Sequence, residues 1–209
     1  MKSYISNTID STLNDVVKWP LAIILLYFSQ DIFYSFLKSL QLLLTPQSIT
    51  FLIGALLFFF LGFTLNYRSK AERFLTFEHE LAHAIFCFLT FKSNISIDMN
   101  PPEEGVAGMC RYSGGSNWLI TLAPYFFPTL TVFISCLYLL PFPFIFPLLD
   151  VCVGYSIAYH LKTNYVEFSN AILSKREASD LVKVGKLYSC IIIPIFNLIV
   201  FSIIFGVIS

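Results

Sequence analysis

Apolar residues fall along the chain in six long stretches, 21–44, 49–66, 73–92, 118–139, 142–161 and 187–208. Each is close to the run of about 20 apolar residues that crosses a bilayer as a helix. The first, "LAIILLYFSQDIFYSFLKSLQLLL", carries Gln30, Asp31 and Lys38, a mixture that also suits a helix lying partly in the interface. The lead-in "MKSYISNTIDSTLNDVVKWP" is polar for too long to read as a standard cleavable signal, so insertion by the chain's own first spans is expected.

Two connections stand out from the otherwise short loops. In 93–117, "SNISIDMNPPEEGVAGMCRYSGGSN", apolar residues alternate at Ile95, Ile97 and Met99, turn residues follow in "NPPEEG", and the pattern resumes at "VAGMCRYS". That pattern predicts a β-hairpin. In 162–186, "SKRE" (Ser174 to Glu177) has the spacing of a helix capping box, and Gly185 and Pro194 are the expected points of bending beyond it.

Basic residues complicate the simple count of crossings. Arg68, Lys70 and Arg73 precede one span, while Lys162, Lys175, Arg176, Lys183 and Lys186 follow another. The positive-inside tendency places both clusters on the cytosolic side. Three full crossings between them would separate them, so either one of the intervening spans is re-entrant or one cluster departs from the tendency.

Composition agrees with a membrane protein: 56% of residues are hydrophobic, 12% are charged and the mean hydropathy is +0.74. A soluble domain needs more polar surface than that. With a formal net charge of zero there is no basic face to neutralise phosphates, which argues against nucleic acid as a partner. Cys87, Cys110, Cys136, Cys152 and Cys190 contain no CxxC pair and read as small buried hydrophobes.

One segment does not fit a bland membrane helix. "FEHELAHAIF", Phe77 to Phe86, brings Glu78, His79, Glu80 and His83 into the third stretch. A charged group at the centre of a spanning helix costs about 2.5–3.5 kcal/mol, so the cluster needs a compensating partner. His79, Glu80 and His83 match H-E-x-x-H. Residues four apart share a helix face, so both imidazoles can reach one ion, and Glu80 is placed to take a proton from water activated there. Zn²⁺ is the expected metal, since catalytic zinc sites pair two such histidines with a third N or O ligand and an open position. Ala82 and Ala84 let neighbouring helices approach closely.

With "HELAH", the hairpin ending in "SGG" (Ser113 to Gly115) and the following "NWLITLAPYFFP" (Asn117 to Pro128), the chain resembles the site-2 protease type of intramembrane zinc metalloprotease. The resemblance implies cleavage of membrane-embedded or membrane-proximal peptides, with the hairpin holding substrate extended. Ala123-Pro124 looks like the family's Gly-Pro. The family's Gly-Pro-x-x-Asn would put asparagine where Phe127 stands, and its Leu-Asp-Gly appears only as "PLLDVCVG", Pro147 to Gly154. The third ligand therefore lies among Asp150, His160 and Asp180. "YHL" followed by "DLxxxG" before a final span looks like divergent membrane metallopeptidases of this broad type. That favours His160, with Asp180 as the alternate ligand or as a partner to a ligand imidazole.

The expectation is an all-α polytopic membrane protein of about six membrane helices with a small β-hairpin after the HExxH helix. It forms one membrane-embedded unit over 1–209, with an N-terminal segment and first span at 1–48 and a core at 49–208. Its expected ligands and partners are Zn²⁺ at His79, His83 and His160, a membrane-protein or peptide substrate, and the lipid bilayer. Two other classes fit the same residues: a non-proteolytic metal-binding scaffold, and a transporter whose buried histidines and acids relay protons.

Overall fold

Long apolar runs in lipid must satisfy every backbone group internally, and helices do so within one segment. A computed structural model describes residues 2–42, 49–64, 68–101, 108–173 and 179–208, and helices dominate it. In chain order these are α1 (Lys2–Ser11), a π-helical turn (Thr12–Val17), α2 (Lys18–Tyr27), α3 (Ser29–Leu42), α4 (Ile49–Thr64) and α5 (Arg68–Leu89). Strands β1 (Ser93–Asp98) and β2 (Met109–Ser113) follow, then α6 (Trp118–Phe126), α7 (Thr129–Cys136), α8 (Phe146–Leu173), α9 (Asp180–Val184) and α10 (Lys186–Ile208). The protein is an all-α membrane protein with one β-hairpin.

The strands pair antiparallel, with Ile97 opposite Cys110 and Asp98 opposite Met109, and a register irregularity lies between Ser93 and Ser96. The central residues of the predicted turn and the "SKRE" box fall outside the described residues. Gly185 separates α9 from α10 at φ +113°, a conformation that favours glycine. Pro194 lies inside α10, which continues through it.

The six apolar stretches resolve into fewer straight spans. Among the described residues two helices are long and apolar enough to cross a membrane, Pro143–Asn170 and Lys186–Ile208. Two bent pairs raise the number to four if each counts as one span. Tyr4–Tyr27 meets Ser29–Gln41 at 62°, and Trp118–Phe126 meets Thr129–Leu139 at 70°. Pro128 explains the second bend, because it forces Phe127 out of the helical region, to φ −108° and ψ 99°. Ile49–Leu61 is apolar but short, and α5 is too polar to qualify.

Helices α4 and α8 run parallel in close contact. A Cβ on Gly54 would fall 1.9 Å from the Val151 carbonyl oxygen, and one on Gly154 would fall 2.0 Å from that of Phe51. Small residues at such crossings let backbones approach, which is how helices associate where lipid removes the hydrophobic drive. Asp150 belongs to this contact: its two oxygens accept from the Tyr138 and Thr50 hydroxyls.

The N-terminal segment, read as a polar lead-in, packs onto the base of the hairpin. Asp10 is buried there, paired with the buried Lys92 ammonium and accepting from Asn117 Nδ2 at 2.8 Å. Asn117 in turn caps α6, its Oδ1 accepting from the Ile120 amide at 3.0 Å. Asn14 and Leu13 add bonds to Ser116 and Trp118, and Lys18 donates to the Val184 carbonyl at the end of α9 at 2.7 Å. The main core gathers around this junction, with Ala82, Cys87, Ile120, Leu122, Tyr188 and Ile192 fully buried.

Candidate metal centre

Every ionisable group of the α5 motif finds a partner on a different element. Glu78 accepts hydrogen bonds from the Thr129 and Leu130 amides. These open α7, so a carboxylate from a neighbouring helix satisfies N–H groups that have no partner within their own helix. Glu80 Oε2 accepts from the Cys110 amide of β2 at 2.7 Å. Gly108 permits this approach, since a Cβ there would meet Thr76 at 2.5 Å and Glu80 at 3.4 Å.

His79 and His83 lie one turn apart and converge with Asp180 of α9. Nε2 of His83 is 3.2 Å from Nε2 of His79 and 3.4 Å from Asp180 Oδ2, and the remaining side of the triangle is 3.7 Å. Zinc bonds of about 2.0–2.2 Å arranged tetrahedrally place ligand atoms about 3.3–3.5 Å apart, so the triangle has the dimensions of one face of such a site. The side chains of His79, His83 and Asp180 are 21%, 12% and 20% exposed, which encloses the site yet leaves it approachable. Burial pushes the Asp180 carboxyl up, but the adjacent His79 and His83 rings, when protonated, outweigh that and hold it below the usual carboxylate range.

The tautomer of His83 follows from a proline. Pro124 has no N–H, so the carbonyl of Ile120, four residues earlier in α6, lacks its helical donor. That carbonyl instead lies 2.8 Å from His83 Nδ1. With the proton on Nδ1, the Nε2 lone pair faces the triangle, the arrangement a metal-ligating histidine needs. Ala123-Pro124 thus acts on the site through a carbonyl it leaves unpaired.

His160, favoured above as third ligand, lies apart from the triangle, and Asp180, the alternate, lies in it. His160 is buried on α8, with Nε2 3.1 Å from Asn197 Oδ1 and 3.0 Å from Asn164 Nδ2, and its ring packs on Phe201. Among the described residues the ligand atoms that gather within 4.8 Å of one another belong to His79, His83 and Asp180. Asp150 is likewise committed elsewhere, to Tyr138 and Thr50. Glu167 was not anticipated: its Oε1 is 3.7 Å from His79 Nδ1. The available signal was the spacing of His160, Asn164 and Glu167, which puts three polar residues on one stripe of α8.

Residues 49–142 match the family model described as Peptidase M50B-like. No curated protein and no solved structure matches the chain. The matched segment holds α4, the HExxH helix, the hairpin and the broken α6–α7 helix, and the match supports a membrane metalloprotease kind of function. Asp180 and Glu167 lie beyond it. Over residues 49–142 the chain is thus similar to the Peptidase M50B-like family, a likeness that supports a relationship to the site-2 protease type.

Proposed function

We propose that the protein is a membrane-embedded zinc peptidase that hydrolyses peptide bonds of membrane-associated substrates. The observation that carries this reading is the triangle of His79 Nε2, His83 Nε2 and Asp180 Oδ2, sized for a zinc face and contributed by HExxH and an ionised carboxylate. These three residues would hold Zn²⁺. When bound, the ion supplies Lewis acidity, polarising a carbonyl and acidifying water.

Glu80 works beside it as general base and then general acid. One carboxylate oxygen is fixed by the Cys110 amide, which sets the plane of the group. The other takes a proton from the attacking water and returns it to the leaving amide nitrogen. The two-stranded sheet leaves two edges unpaired within itself, and an unwound peptide can satisfy its backbone on such an edge. The hairpin, 95–113, would hold the substrate extended in this way.

The test is Glu80→Gln beside wild type, both purified in detergent, with zinc measured by elemental analysis and cleavage assayed on membrane-anchored peptides of varied sequence. The expected result is about one zinc per chain in both, with hydrolysis reduced about 10²–10⁴-fold in the variant. Unimpaired cleavage by Glu80→Gln would sink the mechanism. A wild type purified without chelator that holds no zinc would leave the non-proteolytic scaffold as the better reading.

A further inference from the structure

The polar stripe of α8 plays no part in the hydrolysis described above, yet it converges on the same histidine from behind. Glu167 Oε1 lies 3.7 Å from His79 Nδ1, the nitrogen turned away from the ligand triangle. The Tyr125 side chain lies beside Glu167, and its ring meets the His79 ring edge-on at 5.6 Å and 89°. Tyr125 itself is 5% exposed and is fastened through its backbone. Its carbonyl, at the end of α6 where the helix breaks, accepts from Asn164 Nδ2 at 2.6 Å and Asn197 Nδ2 at 2.8 Å. His160 braces Asn197 in turn.

We infer that Glu167, held by Tyr125, is a positioning residue for the metal site: it accepts the Nδ1 proton of His79 and so presents the Nε2 lone pair to the ion. His83 gets the same service from the Ile120 carbonyl, so the two ligand imidazoles are oriented by different acceptors, one a neutral carbonyl and one a carboxylate. A carboxylate behind a ligand imidazole fixes its tautomer and raises its basicity. The stripe His160, Asn164 and Glu167 is then one supporting structure, with His160 serving the site at second hand instead of as a ligand. This inference rests on the zinc reading and concerns the zinc-loaded chain, in which both Nε2 atoms face the ion without a proton.

The experiment compares full-length, detergent-purified wild type, Glu167→Ala, Glu167→Gln, Tyr125→Phe and the Glu167→Ala/Tyr125→Phe double variant. Zn²⁺ affinity is measured by competition with a chromophoric chelator, and the Nδ1–H signals of the ligand imidazoles by ¹H–¹⁵N NMR on zinc-loaded protein. Glu167→Ala is expected to weaken zinc about 10–100-fold and to move the His79 Nδ1–H proton upfield as its acceptor is lost. Glu167→Gln keeps an acceptor oxygen and should retain most of the Nδ1–H shift with an intermediate affinity. Tyr125→Phe should weaken zinc less than Glu167→Ala and add nothing in its presence. Unchanged affinity in Glu167→Ala, in a chain whose zinc is lost on His79→Ala, overturns the inference and leaves the peptidase reading standing. No zinc in wild type overturns the peptidase reading, and this inference falls with it.

Discussion

Removing the Asp180 carboxylate is the most direct way to challenge the ligand set. Four-ligand structural zinc sites bind with about 10–16 kcal/mol, or about 2.5–4 kcal/mol per ligand. At about 1.4 kcal/mol per factor of ten, losing one ligand weakens zinc about 10²–10³-fold. The triangle in this protein gives no reason to discount that figure, because Asp180 Oδ2 lies 3.4 and 3.7 Å from its two neighbours and no other described carboxylate joins the group. The assay is chelator competition on Asp180→Ala, with His160→Gln as the control that retains a polar side chain toward Asn197 and Asn164. Asp180→Ala should lose zinc affinity by that factor while His160→Gln matches wild type. The opposite pattern, zinc kept by Asp180→Ala and lost by His160→Gln, would refute the geometry and restore the histidine.

Pro124→Ala returns an N–H to α6 that competes for the Ile120 carbonyl, so zinc binding should weaken by about tenfold even as the helix itself gains a bond; the two effects separate in a competition titration and a thermal melt. Gly154→Ala drives a Cβ to within 2.0 Å of the Phe51 oxygen, and unfolding in detergent should report a loss of about 3 kcal/mol, the upper end for overpacking, since backbone cannot swing aside as a side chain does. Lys92→Met strands the buried Asp10 carboxylate and should cost about 3–5 kcal/mol. Adding Asp10→Leu to it should recover part of that loss, and equal stabilities for the single and double variants would show that the pair is not coupled.

The residues legible in advance were those whose chemistry is local. HExxH declares itself by a four-residue spacing on one helix and the hairpin by alternation at Ile95 and Ile97, whereas the break at Pro128 was not anticipated within the stretch 118–139. Asp180 was visible only as one of three candidates, because a third ligand comes from a separate element and its distance depends on how α8, α9 and α10 stack. His160 looked the better donor for its residue type, but it sits on the part of α8 that faces Asn197. Glu167 reads in sequence as an interfacial charge near a span end. The buried pair of Lys92 and Asp10 joins residues 82 positions apart, and nothing near either one in sequence announces the other. Hydropathy likewise sees six apolar stretches but not that two of them bend by 62° and 70°.

The glycine contact between α4 and α8 reaches further than the helix pair that it joins. A backbone-to-backbone fit of this kind admits a single alignment, so Gly54 and Gly154 index α8 along its axis the way a notch indexes a ruler. Glu167 stands 13 residues beyond Gly154 on the same continuous helix, about 20 Å away at 1.5 Å per residue. Sliding α8 by one residue would turn that carboxylate through about 100° and point it away from His79. Two glycines far from any chemistry thereby set the scale on which the acid behind His79 is read.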